Sequence, residues 1–203
     1  MTLDPRPYAE LCRRAYGQVN IEVGEARALT GFTADGLVAA FQGTNDPLQV
    51  LADLDVRPRY MPGIGYVHHG FADLADAAYP QVCKWADTFE EPLILTGHSL
   101  GAAIAILIGA RMVAEGRTLA AIIGFGAPRV SVGPAVARVF RRAEFPVLLY
   151  RNGADAVPEL PPIFSHPAAL LSVGTPSEGP LAGERDHAID SYIAALDAAG
   201  GSL

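Results

Sequence analysis

The sequence predicts an α/β fold, a mostly parallel central sheet flanked by helices, in one domain spanning residues 1–203. Three observations predict it. Short apolar runs of strand length alternate with longer helical segments. Half of the 203 residues are hydrophobic and 18% are charged, enough for a packed core and too apolar for a disordered chain. A serine flanked by glycines, Gly97-His98-Ser99-Leu100-Gly101, stands where one apolar run ends and a longer one begins.

The elements follow in order. Leu37–Phe41 (LVAAF) is the first apolar strand. Phe71–Phe89 reads as helix, with Pro80 expected to kink or restart it. Pro92–Leu95 is a second buried strand. Leu100–Ala114 is a helix apolar nearly all round, hence buried. Ala120–Phe125 is a third strand, and Pro134–Arg142 a helix with proline in its first turn. Val147–Tyr150 and Ala169–Val173 are further strands, and His187–Ala198 is a closing helix. Apolar strands alternating with helices imply a sheet covered on both faces. Ligands of such sheets bind beyond the carboxyl ends of the strands. Chemistry is therefore expected in the loops after Phe41, Leu95, Phe125 and Tyr150.

Composition excludes several classes. A net charge of −7 with only 15 Lys and Arg argues against nucleic acid and anionic membrane surfaces as partners. Cys12 and Cys83 are too few for a disulfide framework and read as reduced thiols. No His/Cys cluster has zinc spacing, so neither metal nor cofactor is expected. The start, MTLDPRPYAELCRR, lacks the basic end and apolar core of a secretory leader. The uncharged run Leu100–Ala110 is short of the ~20 residues a transmembrane helix needs. The expectation is a soluble chain, cytoplasmic by default, with release by lysis or non-Sec export left open. Oligomeric state is not legible.

The serine carries the chemical argument. Gly-x-Ser-x-Gly between a strand and a buried helix is the nucleophile elbow. The turn is too sharp for Cβ atoms at Gly97 and Gly101, and it holds Ser99 in a strained conformation. It also aims a helix N-terminus at the reacting centre, where a developing oxyanion is favoured. The bland alternative, a serine helix cap, needs neither glycine. A serine hydroxyl needs a base, itself oriented by an acid. In this context the chain order is Ser, then Asp or Glu, then His. Of the five histidines, only His166 and His187 follow Ser99 with room for an acid between. Asp155, in the loop after the fourth strand, is the acid candidate.

Five ordered motifs then point to a family: FQGT at Phe41–Thr44, VHHGF at Val67–Phe71, TGHSLGAA at Thr96–Ala103, GFGAPRV at Gly124–Val130 and RNGADAVPELPP at Arg151–Pro162. Through them the chain resembles the class 3 lipases, from about Tyr8 to Tyr192. These include fungal triacylglycerol lipases, some phospholipases A1 and feruloyl esterases. The resemblance implies an α/β-hydrolase fold with Ser99 as nucleophile, Asp155 as acid and His187 as base, His166 staying the alternative. His187 lies in an Asp186-His187 pair followed by Tyr192, as the family pattern implies. His68 and His98 read as structural or supporting, His69 as exposed. The oxyanion donors would be the Leu100 N–H and the N–H of Thr44, with its hydroxyl as a further contributor.

The segment Asn45–Asp55 (NDPLQVLADLD) is where family members carry a lid. Pro47 can start a helix that sets Leu48, Leu51 and Leu54 on one face, with Asp46, Asp53 and Asp55 opposite. Two readings stand level: a mobile cover making transient contact with a lipid interface, and a fixed surface helix. The resemblance's Trp position is Val50 here. The implied activity is hydrolysis of a carboxylic ester, the substrate an acylglycerol or another small or lipid ester. Phospholipid cleavage or acyl transfer at the same site, and a non-catalytic relative that binds lipid or a partner, are the competing readings.

Overall fold

A computed structural model describes residues 3–44, 46, 49, 53 and 55–200. Among these, one sheet runs in the order β1 (Ile21–Val23), β2 (Ala26–Thr33), β3 (Gly36–Phe41), β6 (Leu93–His98), β7 (Ala121–Phe125), β8 (Val147–Asn152) and β9 (Leu170–Val173). From β3 onward all neighbours are parallel, whereas β1, β2 and β3 pair antiparallel. A separate hairpin pairs β4 (Pro58–Met61) with β5 (Gly65–His68). The helices are α1 (Arg6–Ala15), α2 (His69–Ala86), α3 (Leu100–Ala114), α4 (Ala135–Arg141), α5 (Ala182–His187) and α6 (Ile189–Gly200).

The sheet is covered on both faces. One core gathers Phe71, Val82, Leu95, Ile104, Ile108 and Ile122 beneath α2, α3 and α4. The other gathers Tyr8, Cys12, Ile94, Phe125, Tyr192 and Leu196 beneath α1 and α6. β6 is buried at every residue and α3 at nearly every one. Each Ile or Leu so buried contributes about 1.5–3 kcal/mol relative to exposure. A Cβ on Gly109 would come within 2.5 Å of Ile122 Cδ1, so the helix lies against the sheet as closely as glycine allows. Register aligns the strand ends: Phe41 opposite Gly97, Gly97 opposite Gly124, Phe125 opposite Tyr150. The segments that follow these strands therefore emerge at one edge, as the parallel sheet predicts.

Several sequence expectations need correction. The strand expected at Pro92–Leu95 continues to His98 and enters the elbow directly, with no loop after Leu95. Helix α2 runs through Pro80 without restarting, held by buried Ala78, Tyr79 and Val82 on its inner face. The closing helix expected from His187 starts instead at Ile189 as α6, and His187 ends a separate short helix, α5, with a break at Ala188, which has extended ψ of 136°. The break has a cause. The carbonyl of Asp186 accepts from Asn152 Nδ2 at 2.9 Å, and that of His187 faces His98 Nε2 at 2.7 Å. Two carbonyls that would continue a helix are taken by side chains. α1, β1, β2 and the β4–β5 hairpin were not expected at all. In α1, the buried Tyr8, Ala9, Cys12 and Ala15 do follow helical spacing. His69 is half-buried between Asp55 and Asp73 rather than exposed. In the Asn45–Asp55 segment, Asn45, Pro47, Leu48, Val50, Leu51, Ala52 and Leu54 lie outside the described residues. No helix among the described residues is long and apolar enough to cross a membrane.

His68 ends β5 and caps α2, accepting the Phe71 N–H on Nδ1 at 3.4 Å. Burial pushes its pKa down to about 4. An unfolded chain takes up this proton near pH ~6.5. Between the two values the unfolded state holds the extra proton, so stability falls as pH drops, by up to ~1.4 kcal/mol per pH unit for this group. His68→Asn keeps a capping acceptor and removes the titration. Denaturant unfolding from pH 7 to 4 should show a shallower loss of stability in the variant than in the parent. An identical slope contradicts the buried, neutral His68.

Candidate active site

At the elbow, Ser99 has φ 54° and ψ −126°, a conformation that costs about 1–3 kcal/mol for a residue with a side chain. The surroundings enforce it. A Cβ on Gly97 would collide with the Gly101 carbonyl, and one on Gly101 with the carbonyls of Phe41 and Gln42. The Ser99 N–H donates to the Phe125 carbonyl at 2.9 Å, tying the turn to the end of β7. Leu100 opens α3, where a first-turn N–H has no acceptor within the helix. The positive end of the helix thus lies beside the serine.

Asp155 and His187 converge on the same place from the second half of the chain. His187 Nδ1 lies 2.8 Å from Asp155 Oδ2. Asp155 is fully buried, His187 nearly so. The carboxylate also accepts the Tyr192 hydroxyl on Oδ2 at 2.6 Å and the Val157 N–H on Oδ1 at 2.9 Å. Because Nδ1 faces a carboxylate it carries the proton, which leaves Nε2 as the free lone pair of the neutral ring. Nε2 is buried and has no hydrogen-bond partner among the described residues. Gly126 follows Phe125 with φ +59°, and a Cβ there would sit 2.9 Å from both Asp155 Oδ2 and His187 Cε1. The residue after the one that holds Ser99 is therefore in contact with the acid–imidazole pair. His166 is not brought to Asp155: its Nε2 donates to the Pro158 carbonyl at 2.8 Å.

A cavity of about 720 Å³ opens here, lined in part by Tyr16, Thr44, His98, Val157, His187 and Ile189. Thr44 follows β3, and its Oγ1 accepts the Asp46 N–H at 3.3 Å. Buried His98 packs its ring 4.7 Å from that of His187. Burial, and then the neighbouring His187, push the His98 pKa down to about 3, so it is neutral at ordinary pH. No group of three or more His, Cys, Asp or Glu among the described residues could hold a metal.

Sequence reasoning missed the clamp around the pair. Buried Asp186 accepts the Ala154 N–H at 2.7 Å, the Ser177 N–H at 3.0 Å and the Ser177 hydroxyl at 2.5 Å. Burial alone would raise its pKa; these donors outweigh burial and hold it below the ordinary carboxylate value. The loop of Asp155 is thereby fastened to the residue before His187. Gly126 lies in a quoted motif and Tyr192 follows the Asp186-His187 pair, but only the fold gives them partners. Tyr192 is so deeply buried that its phenol stays protonated and remains a donor to Asp155. Tyr192→Phe should cost about 1.5–3 kcal/mol of stability, the range for a hydrogen bond to a charged group. Thermal and denaturant unfolding of the variant check this, and an unchanged stability contradicts the Tyr192–Asp155 bond.

The comparisons with known proteins agree with this architecture. The family model described as Lipase (class 3) matches residues 38–165. The secreted mono- and diacylglycerol lipase LIP4 of Malassezia restricta is 30% identical over 163 residues, 70% of this chain and 53% of that protein. MDL3 of Malassezia globosa, another secreted mono- and diacylglycerol lipase, is 34% identical over 159 residues, 67% of this chain and 51% of its own. The chain thus spans about half the length of the curated relatives it matches. Among solved structures, the Rhizomucor miehei triacylglyceride lipase superposes with a TM-score of 0.69 at 24% identity, covering 82% of this chain and 77% of that one. Lip2 lipase of Yarrowia lipolytica gives 0.69 at 18% identity, covering 87% and 82%. These two likenesses speak to the α/β-hydrolase fold alone. The family match covers well over half of the chain, so the chain belongs to the class 3 lipases.

Proposed function

We propose that this chain hydrolyses carboxylic esters of acylglycerols through Ser99, His187 and Asp155. The observation that carries the reading is the buried Asp155–His187 pair, 2.8 Å apart, beside a strained elbow serine and with Nε2 unpartnered. In this reading Nε2 takes the Ser99 proton as Oγ attacks the ester carbonyl. Asp155 steadies the imidazolium. The N–H groups of Thr44 and Leu100, aided by the Thr44 hydroxyl, bind the oxyanion. The imidazolium protonates the leaving alcohol, and water, activated by the same nitrogen, releases the acid from Ser99. Every atom needed is in the chain, the ester and water. The acylglycerol substrate is supported by relatives named as mono- and diacylglycerol lipases.

Three further points belong to the proposal. Residues 1–203 are read as one domain, supported by the seven-stranded sheet that has β1 and β9 as its edges. Asn45–Asp55 is read as the part that meets a lipid interface, supported by its place directly after Thr44 and by Asp46 lining the cavity. For the compartment, unpaired Cys12 and Cys83 favour the cytoplasm, while the relatives are named as secreted. Cell fractionation decides between the two. Phospholipid cleavage or acyl transfer would use the same acyl-Ser99 and is separated by product analysis.

The test is initial rates on p-nitrophenyl esters from short to long acyl chains, below and above their solubility limits. Ser99→Ala and His187→Ala should each lose about 10⁴-fold or more in kcat while remaining folded. His166→Ala, which removes the bond to Pro158, should keep kcat and lose stability. Ser99-dependent rates on aggregated long-chain esters support the lipid-interface role of Asn45–Asp55. Rates confined to soluble short esters contradict it. Selective loss of turnover in folded His166→Ala overturns the choice of His187.

A further inference from the structure

Tyr16 follows α1, far in sequence from every residue of the proposed triad. Its hydroxyl lies 2.7 Å from His98 Nδ1. The other ring nitrogen, His98 Nε2, lies 2.7 Å from the His187 backbone carbonyl. The direction of each bond follows by elimination. A carbonyl oxygen only accepts, so His98 Nε2 carries the hydrogen. Neutral His98 then has a lone pair on Nδ1, and only a donor can face it, so the Tyr16 hydroxyl donates. The oxygen of that hydroxyl packs directly against Gly43. The approach is close: a Cβ on Gly43 would collide with Tyr16 Oη and sit 2.8 Å from the His98 carbonyl oxygen and 3.0 Å from Ser99 Cβ.

We infer that Tyr16 is a positioning residue whose single hydroxyl sets the oxyanion loop, the elbow and the backbone of His187 relative to one another. The inference rests on the ester-hydrolase reading. Each contact in this chain reaches a different part of the site. Gly43 immediately precedes Thr44, His98 immediately precedes Ser99, and His98 in turn holds the carbonyl of His187. Without the phenol hydroxyl, Nδ1 of His98 loses its partner and Gly43 loses the oxygen it packs against, so the loop and elbow become free to drift apart. Misplacement of this kind acts on the transition state more than on ground-state binding.

Tyr8, inside α1, provides a control. Its hydroxyl also makes a 2.7 Å bond, to Asp35 Oδ2, but away from the cavity. Tyr8→Phe therefore removes a tyrosine hydrogen bond of the same length without touching the network. The experiment compares Tyr16→Phe, Tyr8→Phe and the parent on a soluble short-chain p-nitrophenyl ester. Thermal unfolding and the imidazole ¹⁵N shifts of His98 are measured on the same proteins. Tyr16→Phe should lower kcat about 10- to 100-fold with KM moving less than about threefold, while Tyr8→Phe stays within about twofold in both. Both variants should remain folded at the assay temperature, with Tyr8→Phe losing at least as much thermal stability because its bond is to a carboxylate. The parent's ¹⁵N shifts should report the Nε2–H form of His98, and Tyr16→Phe should perturb the Nδ1 resonance. A kcat for Tyr16→Phe equal to that of Tyr8→Phe overturns the inference, as does an unperturbed Nδ1. If the parent hydrolyses no ester yet Nδ1 responds to Tyr16→Phe, the hydrogen-bond network stands and the hydrolase reading falls.

Discussion

Gly97 and Gly101 let β6 and α3 meet at a separation that no side chain permits, and the rest of the molecule is arranged around that contact. A Cβ at either glycine would strike backbone rather than a flexible side-chain end, so nothing could yield cheaply. The consequence is a serine held at φ 54° between a fully buried strand and a nearly fully buried helix. The strain costs on the order of 1–3 kcal/mol, a serious fraction of a stability of ~5–15 kcal/mol. The apolar packing of α3 against the sheet offsets it, including the close seat at Gly109. The elbow is therefore a property of the core and not of a loop.

The second half of the chain is held to the elbow by side chains acting on backbone groups. Asn152 and His98 take carbonyls that would otherwise extend a helix, and Asp186 takes the amides of Ala154 and Ser177. Local helical order is given up at Ala188, and His187 gains a fixed place in return. Asp155 has three donors, so neither its position nor that of the ring it faces is left to chance. The same logic explains why buried His68 and His98 stay neutral: each has more to lose from burying a charge than from remaining an ordinary hydrogen-bonding ring.

How much of this was legible depended on the range of the interactions. The elbow could be read because its glycines, serine and flanking apolar runs are contiguous. Asp155 and His187 could be paired because order and motif constrain them, although His187 ends α5 rather than starting the final helix. β1 and β2 were missed because ARALTGFT alternates weakly, with Gly and Thr among its partly buried positions. Its partner β3 was found because it is continuously apolar. Tyr16 lies 82 residues from His98, and nothing local in QVN-flanked Tyr16-Gly17 announces the bond. Contacts made by folding, between residues with no shared pattern, stay invisible until the sheet order is known.

The central claim is that Ser99 is the activated nucleophile, driven by His187. The direct measurement is covalent labelling of the folded protein with a fluorophosphonate, followed by peptide mass spectrometry, in the parent and in His187→Ala. The account predicts a single adduct on Ser99 that forms readily in the parent and is nearly absent in the folded variant. An unlabelled parent, an adduct on another residue, or equal labelling without His187 would contradict it.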